Sequence, residues 1–188
     1  MYDTSEFRKG LKFEMDGKPF VILDNQFVKP GKGQAFNRVR IKNLLNGNTL
    51  ELNMKSGDTV KKADVATESM QFMYSTGSEW HFMNTKTYEQ VALTEEQLGD
   101  AKNYLTENLE VQISFWNSKA IAVDVPNFIE VQITTCDPGA RGDTVSGATK
   151  PATVSTGYVV AVPLFVDEGE WIRIDTRTGA YLDRSGKK

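Results

Sequence analysis

Phe27-Val28-Lys29-Pro30-Gly31-Lys32-Gly33-Gln34-Ala35-Phe36-Asn37-Arg38-Val39-Arg40-Ile41-Lys42 reads as a strand, a glycine-rich tip and a second strand. Pro30 presets φ for the second position of a turn and Gly31 permits positive φ at the third, so a type II turn is expected over 29–32. Gly33 frees the backbone once more. A lysine between two glycines has no neighbouring side chain to pack against, which places the Lys32 amine at an exposed tip. Beyond the tip, Arg38, Arg40 and Lys42 recur every second residue, so a strand carries them on one face and Val39 and Ile41 on the other. Cations on a rigid β-surface neutralise phosphates, giving salt-sensitive binding with little sequence reading. An ordinary solvated lysine loop is the alternative that these spacings leave open.

Working outward, strand signals fill the first 60 residues. Leu11, Phe13 and Met15 alternate with polar residues, Asp16-Gly17 turns the chain, and Asn46-Gly47 predicts a tight type I′ turn before the next strand. A boundary falls near Asp64. Met70, Phe72 and Tyr74 alternate after it, followed by Trp80, Phe82 and Val91. Thr94-Glu95-Glu96-Gln97 is a capping box opening a short helix whose apolar stripe is Leu98, Ala101 and Leu105. Strands return at Val111, Ile113 and Phe115, and again at Ile121, Val123 and Val125. A third unit starts with Ile129, Val131 and Ile133. Residues 137–155 read as a long Gly/Pro/Ser/Thr-rich loop, with strands over 159–166, 171–174 and 180–182. The expectation is all-β: three small barrels in a row, at 1–64, 65–127 and 128–188.

The 188 residues are 39% hydrophobic and 25% charged, ordinary for a folded soluble chain. The net charge of −3 is unevenly spread. Residues 1–64 carry 12 Lys and Arg against 8 Asp and Glu, whereas 65–126 carry 3 against 9. A basic N-terminal part facing a polyanion is one account of this. No apolar run approaches the roughly 20 residues of a membrane span, and the opening Met1-Tyr2-Asp3-Thr4-Ser5-Glu6 is not an export signal. A cytoplasmic address with no membrane partner is therefore expected.

Candidate chemistry is sparse. His81 is the only histidine and Cys136 the only cysteine, so neither a triad nor a zinc cluster can be drawn. Gly31-Lys32-Gly33 lacks the rest of a dinucleotide fingerprint, and 142–147 lacks the ending of a phosphate loop. No catalytic residue, metal or cofactor is expected.

Three stretches resemble bacterial elongation factor P. They are Phe27-Val28-Lys29-Pro30-Gly31-Lys32-Gly33-Gln34-Ala35-Phe36, Trp80-His81-Phe82-Met83, and Gly142-Asp143-Thr144 with Lys150-Pro151-Ala152-Thr153. The similarity runs through essentially the whole chain. It implies an N-terminal KOW-type, SH3-like barrel and two OB-type barrels in an L with the outline of a tRNA. It also implies a monomer bound on the ribosome between the peptidyl and exit sites, where it relieves stalling at consecutive prolines by positioning peptidyl-tRNA.

Residue by residue, the resemblance makes Lys32 the site of a covalent extension. Lys29, Pro30, Gly31, Gly33, Gln34, Arg38, Arg40 and Lys42 become the loop and stripe facing tRNA and rRNA. Gly142, Asp143 and Thr144 match a loop contacting exit-site mRNA, and Tyr181 and Arg184 match further C-terminal positions. Gln34 and its context resemble the subgroup whose lysine receives β-lysine from an enzyme similar to lysyl-tRNA synthetase; other lysine-tip members carry an aminopentanol group. Two further readings remain beside this one: a general single-strand RNA-binding OB-fold protein, and an unmodified paralogue of the same family.

Overall fold

Strand pairing and short turns organise the chain in the computed structural model, which describes residues 1–138 and 148–187. The first sheet contains β1 (Tyr2–Asp3), β2 (Lys12–Met15), β3 (Lys18–Val28), β4 (Phe36–Asn43), β5 (Thr49–Lys55) and β6 (Thr59–Lys62). Its order is β1-β6-β2-β3-β4-β5. Asp16 and Gly17 both have positive φ, 53° and 70°, which is the two-residue type I′ geometry whose twist suits the β2–β3 hairpin. Phe13, Phe20, Ile22, Val39 and Ile41 form the buried interior of this sheet. Phe13 stacks between Phe7 and Phe20, at ring separations of 6.5 and 5.7 Å. Each such buried side chain contributes about 1.5–3 kcal/mol relative to exposure.

The turn expected at Asn46-Gly47 takes another form. Only Gly47 has positive φ, 76°, so type I′ is not made there. Asn43 donates its backbone N–H to Asn48 O and accepts from Gly47 N, while its buried side-chain oxygen accepts from Leu45 N. A carboxamide that caps the loop from inside favours this wider connection.

The second sheet contains β7 (Val65–Ser75), β8 (Glu79–Met83), β9 (Gln90–Thr94), β10 (Glu110–Trp116) and β11 (Lys119–Asp124), in the order β11-β10-β7-β8-β9. Its predicted capping box is formed: Thr94 accepts from Gln97 N, and the Gln97 side chain accepts from Thr94 N, opening α1 (Glu95–Leu98). A 3-10 helix, Gly99–Tyr104, follows. The alternation predicted along β7 breaks at a register shift between Phe72 and Tyr74, which leaves Met70 and Phe72 buried but Tyr74 54% exposed.

The third sheet contains β12 (Phe128–Cys136), β13 (Thr149–Val154), β14 (Val159–Pro163), β15 (Trp171–Asp175) and β16 (Ala180–Arg184), in the order β14-β13-β12-β15-β16. The loop expected over 137–155 is shorter, because β13 occupies its last third. Pro151 lies within β13, opposite Ala161 and beyond the last β12 pair, Cys136 with Ala152. At that position β12 asks for no N–H. Ile129, Val131, Ile133, Val160, Val162, Ile172 and Ile174 fill this core, joined by Tyr104.

The chain packs as two compact units. One is Met1–Glu68 with Leu93–Gly99 and Ile113–Val123; the other is Ser69–Ala92 with Asp100–Gln112 and Asp124–Lys188. Residues of the middle sheet fall in both. No helix among the described residues is long and apolar enough to cross a membrane.

Candidate functional site

β3 and β4 pair as far as Val28 opposite Phe36, so residues 29–35 form the loop between them. Gly31, Lys32, Gly33 and Gln34 are exposed, as is Lys29, while Pro30 is half-buried. The positive φ falls at Gly33, 115°, and not at Gly31. The predicted type II turn over 29–32 is therefore not formed; the loop bends one step later, with Gly33 against the Pro30 ring, whose Cγ lies 3.7 Å from a Cβ built at Gly33. The far end is tied down where Ser56 N donates to Ala35 O at 3.2 Å. Among the described residues the Lys32 amine has no hydrogen bond or ion pair. Its chemistry is that of an accessible primary amine on a short arm.

Along β4 the predicted alternation is present. Arg38 and Arg40 are exposed and Lys42 half-buried, whereas Asn37, Val39, Ile41 and Asn43 face inward. What sequence reading missed is the company these cations keep. Arg38 Nε lies 3.6 Å from Glu51 Oε1 on β5, and Arg40 sits between Asp24 on β3 and Glu51 on β5 in the strand register. Two carboxylates thus temper the stripe. Exposed pairs of this kind are worth about 0–1 kcal/mol, but they lower the local positive potential that a polyanion would feel. The outward positions of β5, Glu51, Asn53 and Lys55, alternate in sequence as well, so Glu51 was open to discovery once β5 was paired with β4.

Tyr181 and Arg184 lie on β16, in the other compact unit. Tyr181 is half-buried against the third core, and burial pushes its hydroxyl pKa up while nearby Arg184 pulls it down. Arg184 donates through Nη2 to Phe165 O at 2.9 Å, holds its guanidinium 4.5 Å above the Phe165 ring, and approaches Glu170 at 3.5 Å. Gly142, Asp143 and Thr144 lie outside the described residues. His81 stacks on Tyr74 at 4.6 Å and lies 3.7 Å from Glu79, and Cys136 is half-buried with burial raising its thiol pKa. Among the described residues no cluster of His, Cys, Asp or Glu is arranged to hold a metal.

Successive small β-sheets and an uncapped lysine between glycines at a hairpin end define an all-β protein of KOW-like and OB modules with a presented amine. Three family models match: the elongation factor P KOW-like domain over 3–60, its OB domain over 65–123, and its C-terminal domain over 129–184. The chain is 50% identical to elongation factor P of Bdellovibrio bacteriovorus over 188 residues, covering all of both chains. It is 49% identical to that of Desulfatibacillum aliphaticivorans over 187 residues, again at full coverage. The chain belongs to the elongation factor P family and is a translation elongation factor. Among solved structures, the translation initiation factor 5A from Methanococcus jannaschii shares the fold at 22% identity, with TM-score 0.50 over 66% of this chain and 90% of that one.

Proposed function

We propose that this factor works in the cytoplasm on the ribosome, between the peptidyl and exit sites, and speeds peptide bond formation at consecutive prolines. Lys32, extended by a β-lysyl group, reaches toward the end of peptidyl-tRNA and orders it. Proline's ring fixes φ and restricts how the reacting groups approach. Holding one reactant in place removes part of the entropic barrier without any catalytic base. The observation that carries this reading is the uncapped Lys32 amine on the exposed 29–35 loop. Arg38, Arg40 and Lys42 supply the phosphate-facing surface toward tRNA and rRNA, and Gly142, Asp143 and Thr144 the contact with exit-site mRNA. The modifying partner is an enzyme resembling lysyl-tRNA synthetase.

The test is synthesis of a Pro-Pro-Pro reporter with the Lys32→Ala protein, alongside intact-mass analysis of protein purified from its native cells. Loss of reporter synthesis at unchanged thermal stability is expected, with an added lysyl mass on the natural chain. Normal reporter synthesis by Lys32→Ala rejects the role, and an unshifted mass rejects the modification.

A further inference from the structure

On the inward face of β3 and β4 the first sheet opens into a cavity of about 550 Å³ whose lining includes Asp3, Asn25, Phe27, Asn37, Ser56 and Gly57. The volume lies in the range of small-ligand sites. One wall carries a carboxylate. Asp3 Oδ1 accepts from Ser5 N at 2.7 Å and from the Ser5 hydroxyl. These bonds hold the carboxyl below its usual range, so it is ionised at neutral pH. Among the described residues Oδ2 accepts nothing, and no lysine or arginine pairs with Asp3.

Another wall carries a bare ring. Phe27 is 60% exposed. Four other rings hold a cation of the chain itself: Lys62 over Tyr2, Arg177 over Phe128, Arg184 over Phe165 and Lys187 over Trp171, at 4.4 to 5.1 Å from the ring centre. Among the described residues no cation covers Phe27. Tyr88, 72% exposed, is bare as well; Phe27 stands in one cavity with a carboxylate.

Directly opposite Phe27 on β4 is Asn37, only 5% exposed, and a relay fixes which way its carboxamide points. The Phe7 carbonyl can only accept, so Asn25 turns its NH2 toward it, at 3.0 Å. Asn25 must then offer its oxygen to Asn37, which donates from Nδ2 at 2.9 Å. This leaves Asn37 Oδ1 and one N–H unused among the described residues. A carboxylate, a ring face and an amide oxygen together call for a cationic donor, and an anion would be repelled by Asp3. A guanidinium meets all three at once: it lies flat on a ring and directs N–H groups from its edge to two acceptors. An ammonium has no flat face and is more strongly hydrated. The leftover Asn37 N–H suits a peptide carbonyl beside the cation.

We infer that this cavity takes an arginine side chain presented by a protein partner, stacked on Phe27 and paired with Asp3. Free arginine would bring its own carboxylate to the mouth that holds Asp3, whereas within a polypeptide that charge is absent. The cavity faces away from Arg38 and Arg40, so it can be filled whether or not Lys32 acts on the ribosome.

The experiment is a proton–nitrogen NMR titration of the full chain with N-acetyl-arginine methylamide, the corresponding lysine compound and free arginine. The capped arginine should shift the Asn37 side-chain and Ser5 backbone resonances saturably, and at severalfold lower concentration than either of the others. Asp3→Asn keeps a residue that caps the first turn equally well and should weaken the capped arginine about tenfold, as for loss of a hydrogen bond to a charged group. Phe27→Leu should weaken it about threefold through the lost ring face, and Phe27→Tyr should restore it. Phe27 is exposed, so neither change threatens the core. No saturable shift, equal binding of the capped arginine and lysine, or indifference to either Asp3→Asn or Phe27→Leu overturns the proposal. Free arginine binding as tightly as the capped form overturns the protein source.

Discussion

Arg38 and Glu51 face each other across β4 and β5 with Nε and Oε1 3.6 Å apart, and the register puts Arg40 beside the same carboxylate. One acidic side chain thus tempers two of the three cations on the outer face. Replacing it with Gln keeps the shape and removes the charge. Glu51→Gln should bind ribosomes more tightly at low salt and show a steeper fall in affinity with added salt, by a slope of about one further released ion. Binding measured across a salt series checks this; an unchanged slope means that the face does not meet phosphates.

Gly33 holds φ at 115°, where a Cβ is strained, yet no neighbour comes closer than 3.7 Å to it. Gly33→Ala therefore re-aims the loop without a clash. Because the loop is exposed, the melting temperature should stay within about 3 °C of the parent, the shift expected for under 1 kcal/mol in a domain of this size. Pro-Pro-Pro reporter synthesis should fall severalfold. A melting curve and a reporter assay on the same preparation separate the two effects, and full activity argues that the bend at Gly33 does not aim Lys32.

Gly179 sits in the turn before β16 at φ 75°, and an added Cβ would meet the Tyr158 hydroxyl at 2.5 Å and the Tyr104 hydroxyl at 3.0 Å. The same hydroxyl of Tyr158 donates to Gly179 O at 2.9 Å. Gly179→Ala combines backbone strain with a clash and a displaced hydrogen bond, for a loss of roughly 2–4 kcal/mol. Urea denaturation would show it as a lower midpoint. Tyr158→Phe, which removes the hydroxyl without adding strain or a clash, should cost about 1 kcal/mol.

Burial, then the neighbouring Tyr158, push the Tyr104 pKa up to about 12. Its folded value exceeds its unfolded one, so the neutral hydroxyl is favoured in the native state. The contribution is complete below pH 10 and is lost as pH rises from about 10 to about 12, because the unfolded chain releases the proton first. Denaturant unfolding at pH 9 and pH 11.5 should show a loss that Tyr104→Phe reduces by on the order of 2 kcal/mol. Equal losses in both proteins would place the alkaline sensitivity elsewhere.

Local patterns were legible wherever short-range chemistry dominates. Arg38 and Arg40 alternate with buried Val39 and Ile41 because a strand's side chains have a period of two, whatever surrounds it. The Thr94–Gln97 capping box closes within four residues and needs no partner from elsewhere. Asp16-Gly17 makes its turn for the same reason. Turn type elsewhere was less legible. At Asn46-Gly47 the side chain of Asn43 competes from inside the fold, and at 29–32 the positive φ moved to Gly33. Pro151 entered a strand because the neighbouring β12 had already ended.

For the exposed lysine, sequence alone determined the exposure: glycines on both sides deny Lys32 a packing partner. Only tertiary structure decided what stands around it. Glu51 reaches Arg38, Asp24 flanks Arg40, and Asn37 is oriented by Asn25 and Phe7, through pairings between residues 12 to 18 positions apart. Side-chain period is a property of the chain itself, whereas charge neutralisation and hydrogen-bond direction depend on which strands meet and in which register.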